Sequence, residues 1–240
     1  MLDRVGFTVD EGQVVSVVGP SGCGKTTLLH ILSGLTNCDS GEVRYGPGVA
    51  EQCTLVFQQH GLFPWKTVYD NVRFGLNRSR EPDEELILPA LHAFGLEEFA
   101  SHWPHQLSAG LCQRASLARA LVSSPRLLLM DEPFSALDAQ TTMVIRERFL
   151  EQQQLSGAAA VVVTHDIEEA ILLGDRVVVF SPRPGSIIEI INVPLPKPRI
   201  AAGTVSSVVA EMRQHIWQLL EADIRREVIG EHGPRRVEAL

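Results

Sequence analysis

The sequence predicts an α/β fold built on a mostly parallel sheet, and three observations carry that prediction. Five short runs, "VVSVV" (14–18), "CTLVF" (53–57), "RLLLM" (126–130), "AAAVVVT" (158–164) and "RVVVF" (176–180), have the length and even apolarity of strands buried on both faces. Segments of helical periodicity alternate with them, which favours parallel pairing with helices on both sides of the sheet. A glycine-rich turn, "GPSGCGKTT" (19–27), joins the first run to the first helical segment, the arrangement that presents backbone N–H groups to an anion.

The first helix is expected over about 25–33, closed by Gly34. From 62 to 123 period-3.6 patterns dominate: "VYDNVRFGL", "EELILPALHAFGL" and "SLARALV" read as a helical insert. Further helices are expected over 139–154 and 166–173. The tail reads as a hairpin, "RVVVFSPRPGSIIEIINV", then the Pro-rich "PLPKPR" (194–199), then a helix over about 205–221. One domain accommodates these parts: a core of 1–61 and 124–180, a helical subdomain of 62–123 and a tail of 181–240.

Composition narrows the function. A formal net charge of −8 opposes nucleic acid or an anionic membrane surface as the main partner, since both require clustered positive charge. No apolar run approaches the roughly 18 residues that span a bilayer, and "MLDRVGFTVDEG" lacks the layout of a signal peptide, so the chain is expected in the cytosol. Four cysteines form no CxxC pair and read as free thiols.

Residues 19–26 match G-x-x-x-x-G-K-[ST]. Gly19, Pro20, Ser21, Gly22, Cys23, Gly24, Lys25, Thr26 and Thr27 are therefore candidate nucleotide-binding residues. Lys25 is expected to reach the β- and γ-phosphates and the Thr26 hydroxyl to ligate Mg²⁺. In "RLLLMDEP" (126–133) two carboxylates end an apolar strand, where the ligand crevice of such sheets lies. Asp131 is placed to hold Mg²⁺ and Glu132 to polarise an attacking water. A second small-residue turn, Ser108-Ala109-Gly110, opens the long amphipathic stretch of "LSAGLCQRASLARAL" (107–121).

With these motifs placed, the chain resembles the ATP-binding subunit of an ABC transporter. "VFQ", ending at Gln58, resembles the Q-loop; "LSAG" with "QRASLARAL" the signature motif; "LLLMDEP" the Walker B strand; "SALD" (135–138) the D-loop; and "VTHD" (163–166) supplies His165 as the switch histidine. The resemblance implies a P-loop NTPase of the ABC ATPase type, with a small antiparallel β part at the N-terminus and an inserted helical subdomain. It implies a head-to-tail dimer in which Ser108, Ala109 and Gly110 of one copy close over the γ-phosphate held by the other. Gln58 would then couple Mg²⁺ and the attacking water to the helical insert, His165 would touch the γ-phosphate, and Asp138 would reach across the dimer. His102 and His105 read as ordinary loop residues.

Two departures from the family pattern stand out. Ala109 replaces a glycine of the signature, a mild change if its φ is negative. The chain also opens where the family's second strand is expected, with Phe7, placed in that strand, as the only aromatic residue upstream of the phosphate loop. Two readings follow: the chain start is assigned too late, or adenine is held differently, and weaker nucleotide affinity is expected for the chain as it stands. "LFPW" followed by "TVYDNV" (62–72), together with the tail, resembles the nitrate/sulfonate/taurine importer group. Phe63 and Trp65 are the expected dock for a permease subunit on the cytoplasmic membrane face, with a substrate-binding protein acting indirectly. The other readings, a soluble non-transport ABC ATPase or a catalytically weak nucleotide-binding regulator, are opposed by the lack of a coiled-coil insert and by the intact Lys25, Thr26, Asp131, Glu132 and His165.

Overall fold

The computed structural model describes residues 2–76, 84–197, 199 and 207–229. Six strands form one sheet: β1 (Val14–Val18), β2 (Cys53–Val56), β3 (Leu127–Asp131), β4 (Ala159–Val163), β5 (Arg176–Phe180) and β6 (Ile187–Asn192). Their spatial order is β2-β3-β4-β1-β5-β6. All neighbours pair in parallel except β5 with β6. The seven helices described are α1 (Lys25–Leu32), α2 (Val68–Phe74), α3 (Glu84–Ala93), α4 (Ala109–Val122), α5 (Ala139–Ser156), α6 (Ile167–Leu173) and α7 (Ser207–Ile229).

The even apolarity of the strand runs has a direct structural cause: both faces of the sheet are covered. Successive side chains of a strand point to opposite faces. Accordingly Leu128 and Met130 of β3, with Ala160 and Val162 of β4, pack into the core shared with α2, α3, α4 and α5. Their neighbours Leu127, Leu129, Val161 and Val163 pack with Val15, Val17, Leu28 and Leu29 on the α1 side. A third cluster joins Val177 and Val179 to Ala170 and Ile171 of α6 and to Met212 and Ile216 of α7.

Several expectations shift in detail. The third strand is 127–131, one residue later than expected, so Asp131 belongs to the ladder. The tail helix runs to Ile229, while residues 205 and 206 lie outside the described residues. The antiparallel part expected at the N-terminus is instead the tail hairpin β5–β6. Residues 3–13 form no strand, and Leu2 makes a single isolated bridge with Gly185. Phe7 therefore lies outside any strand. Val5, Phe7 and Val9 pack side by side on the α1-side core while the residues between them are exposed. The period-2 pattern is present, but it lays an extended chain on the core without ladder hydrogen bonds.

Between β2 and β3 the regular elements of the described chain are helices, and α2 packs closely on α4. A Cβ on Gly75, just after α2, would lie 2.1 Å from the Arg119 carbonyl oxygen and 2.9 Å from Val122 Cγ1. Gly75→Ala should therefore force the two helices apart and cost about 1–3 kcal/mol, read as a lower urea midpoint. Gly41→Ala, with nothing within 4 Å but φ +87, should act through backbone strain alone.

Candidate functional site

Because β1, β2, β3 and β4 run parallel, their carboxyl ends open on one edge of the sheet. Four segments leave that edge: the phosphate loop after β1, Gln58 after β2, Asp131 and Glu132 at the end of β3, and His165 after β4.

The phosphate loop is shaped by glycine backbones. Gly22 has φ 75 and Gly24 has φ 113, conformations open to glycine at no steric cost. Gly24 caps α1 without a side-chain hydrogen bond, and the first turn carries no acid. The leading N–H groups of α1 thus lack the capping oxygen that Ser108, Asp138 and Asp166 supply to α4, α5 and α6. An anion is their natural partner. Lys25 is buried, and its Nζ donates to the carbonyl oxygens of Gly19 (2.8 Å) and Pro20 (2.9 Å), which holds the ammonium inside the loop.

The loop is buttressed by residues far away in sequence. A Cβ on Gly19 would come within 2.8 Å of Phe180 Cβ, and one on Gly185 within 2.1 Å of the Cys23 carbonyl oxygen. The hairpin turn between β5 and β6 therefore presses on the phosphate loop from behind. The sequence marks this hairpin, but the contact of its turn with the phosphate loop has no local signal beyond the Pro-Gly step at 184–185.

Thr26 Oγ1 donates to Asp131 Oδ2 at 2.7 Å. Burial pushes the Asp131 carboxyl up from its ordinary range and neighbouring Glu132 adds to this, while the Thr26 hydrogen bond, Lys25 and His30 oppose it. An exposed hydroxyl on a buried carboxylate, beside a second carboxylate, is the hard-oxygen environment that suits Mg²⁺ brought in with phosphates. The residues fit that ion.

Glu132 is held on three sides. Its N–H donates to the Val163 carbonyl at 2.9 Å. Gln58 Nε2 donates to Oε2 at 2.9 Å, and His165 Nδ1 lies 3.1 Å from Oε1. Its φ of 46 is a conformation that non-glycine residues seldom adopt. Such strain costs on the order of 1–3 kcal/mol and persists where surrounding structure enforces it. Sequence alone gave no signal of it.

The turn of Ser108, Ala109 and Gly110 meets the chain just before Asp138 through Gly110, which faces Ala136 and Leu137. Ser108 caps α4, its Oγ accepting from the Leu111 N–H at 3.3 Å. Ala109 is the first residue of the helix and is not among the positive-φ residues, which meets the condition for a mild effect of the extra methyl. Gly110 needs its small size, since a Cβ there would lie 3.2 Å from Leu137 Cδ2 and 3.3 Å from the Ala136 carbonyl. Asp138 caps α5 through the N–H groups of Gln140 and Thr141; its pKa is lowered first by the Thr141 side-chain hydroxyl and then by the Thr141 N–H. All of these residues except Gly110 are exposed.

Phe63 and Trp65 lie on a surface knot tied by fully buried Asn71. Its Oδ1 accepts from the Phe63 N–H (2.8 Å), and its Nδ2 donates to the carbonyls of Phe63, Lys66 and Thr67. Trp65 is 67% exposed, so its ring does not belong to the helical core. Phe63 lies between Trp65, its ring tilted at 45°, and Phe74, which it meets edge-on and which is itself exposed. His105 is exposed; His102 is half-buried, its ring edge-on to Phe99.

Known proteins carry the same pattern. The sequence model of the family described as ABC transporter matches residues 2–135. A taurine import ATP-binding protein of Chromobacterium violaceum is 44% identical over 200 residues, spanning 80% of this chain and 77% of that protein. An aliphatic sulfonates import ATP-binding protein of Burkholderia lata is 43% identical over 205 residues, spanning 83% of this chain and 74% of the relative. A solved dimeric ATP-binding cassette in a post-hydrolysis state with ADP and phosphate bound superposes with a TM-score of 0.71 at 33% identity, covering 81% of this chain and 91% of that one.

The Asp131 environment has a measurable consequence. A carboxyl whose pKa is higher folded than unfolded contributes most stability below the ordinary aspartate range and loses it as pH climbs through the raised value. At neutral pH the ionised Asp131 therefore costs stability. Asp131→Asn should raise the urea midpoint of the ligand-free protein at pH 7 and remove the extra midpoint gain that MgATP gives over ATP with chelator.

Proposed function

We propose a function from one premise: this chain belongs to the ABC transporter family. It is the ATP-hydrolysing subunit that powers an importer for small anions of the nitrate, sulfonate or taurine kind. The observation that carries this reading is the junction at the sheet edge, where Thr26 meets Asp131 at 2.7 Å beside the loop that holds Lys25, and Gln58 and His165 each meet a different oxygen of Glu132.

ATP is gripped through its β- and γ-phosphates by the N–H groups of the phosphate loop and by Lys25. Thr26, Asp131 and Gln58 are the residues that would hold Mg²⁺, whose charge would offset that of the phosphate oxygens. Glu132 accepts the proton of the attacking water as its oxygen bonds to the γ-phosphorus and the bond to ADP breaks. His165 steadies charge on the transferring group. The exposed turn of Ser108, Ala109 and Gly110 offers a hydroxyl and a helix N-terminus to the γ-phosphate bound by a second copy, and Asp138 reaches across the same interface. Two copies related by a two-fold axis then make two equal sites.

The division into a core (1–61, 124–180), a signature subdomain (62–123) and a tail (181–240) follows from the same reading. The tilted and edge-on aromatics Phe63, Trp65 and Phe74, flanked by Lys66 and Arg119, are the socket for a permease subunit at the cytoplasmic membrane face. Among the described residues no helix is long and apolar enough to cross a membrane, so the chain is held there by the permease. A substrate-binding protein delivers the solute on the far side.

Glu132→Gln should keep ATP binding, lower turnover by about a hundredfold or more, and accumulate an ATP-bound dimer on size exclusion; turnover at the wild-type rate would remove Glu132 as the base. Lys25→Ala should weaken ATP binding itself, seen by equilibrium titration. Ser108→Arg should abolish turnover although its own phosphate loop is intact, and mixing it with Lys25→Ala chains should restore at most one composite site per dimer. Recovery of a multi-span membrane protein with the tagged chain from detergent-extracted membranes tests the transport assignment.

A further inference from the structure

His165 is 65% exposed by its side chain, so no packing of its own fixes where the ring lies. Its position is set by its neighbours in the chain. On one side, buried Thr164 donates its N–H to Val17 of β1 at 3.1 Å. On the other, Asp166 caps α6, its Oδ1 accepting from the N–H groups of Glu168 and Glu169.

Both Asp166 and Glu169 face one guanidinium that comes from α5. Arg146 Nη2 donates to Glu169 Oε2 at 2.5 Å and lies 3.7 Å from Asp166 Oδ2. The Arg146 and Glu169 side chains are 13% and 7% exposed. The same guanidinium lies 5.7 Å over the ring of Phe134, which stands two residues after Glu132 and packs edge-on against Phe149 of α5. One cation thus braces both segments whose tips, Glu132 and His165, meet at 3.1 Å.

A buried ion pair is a poor device for stability alone, because the cost of desolvating two charges offsets most of their attraction. Burial pushes the Glu169 carboxyl up, and Arg146 draws it back. Arg146 also sits on the helix that Asp138 caps, so a shift of that helix would move the brace. We infer that Arg146, through Glu169 and Asp166, is a positioning residue that sets the placement of His165 against Glu132 for hydrolysis. The role rests on the ATPase reading above.

The test separates this role from a structural one. Arg146→Met leaves the buried Glu169 carboxylate unpaired, and Glu169→Leu leaves Arg146 only its longer contact to exposed Asp166; each should lower both the urea midpoint and turnover. The double variant R146M/E169L removes the unpaired charge and should regain the midpoint, because apolar replacement of a whole buried pair is close to neutral. Its kcat should nevertheless stay roughly ten- to a hundredfold low, with KM for ATP unchanged. Arg146→Lys keeps the charge without the planar fork and should fold with intermediate kcat. Wild-type kcat in the double variant or in Arg146→Lys overturns the inference, and the lysine variant decides the matter if the double variant is unstable. Glu132→Gln is run beside them. If it abolishes turnover while the Arg146 variants run at the wild-type rate, the role of Arg146 alone falls. If turnover survives in Glu132→Gln, the assignment of the base falls and this role with it.

Discussion

The register of the parallel ladder through β3, β4 and β1 is the constraint on which the site depends. Asp131 pairs with Val163, and Val163 pairs with Val17. These residues stand level across three adjacent strands, so the next residues of each, Glu132, Thr164 and Val18 with the phosphate loop from Gly19 behind it, emerge side by side. The Glu132 N–H reaching the Val163 carbonyl and the Thr164 N–H reaching the Val17 carbonyl continue the ladder by one rung beyond the strands. A slip of one residue would turn every strand side chain to the opposite face. It would move Met130 and Val162 out of one core and Leu129 and Val161 out of the other, so the cores on both faces hold the register that aligns the chemistry.

What that alignment concentrates is unfavourable charge and strained backbone. A buried aspartate with a raised pKa, an adjacent glutamate at positive φ, and helix N–H groups without a capping side chain all gather at one sheet edge. Each would lower stability in an ordinary surface crevice. Together they complement a ligand that brings phosphates and a divalent cation, since the cation suits the carboxylates and the phosphates suit the N–H groups. Stability is given up where binding returns it.

The second group of residues shows a different economy. Ser108 and Asp138 already cap their own helices, so their conformations are fixed before any partner arrives. Gly110 lies tight against the chain at 136–137, which ties the signature turn to the segment that starts α5. From α5, Arg146 reaches the segments of Glu132 and His165. Surface turns on the helical layer are thereby linked to the sheet edge through packed and charged contacts within one chain.

The sequence by itself determined the local parts. Evenly apolar runs gave the strands to within a residue or two, because burial on both faces leaves no alternation to misread. Gly, Lys and Thr at fixed spacing gave the phosphate loop, because only those residues allow that backbone path and that chemistry. The acidic strand end singled out Asp131 and Glu132, and the order of motifs singled out Gln58 and His165, as candidates. Only the tertiary structure decided what depends on distant segments meeting: that Gly185 backs the phosphate loop, that Glu132 is strained and shared between Gln58 and His165, that the N-terminal residues join no ladder, and that Arg146 touches the segments of both Glu132 and His165. Arg146 looked like any charged residue on a long polar helix. Its partner is 23 residues away on another element, and no periodicity or spacing records a contact made by packing.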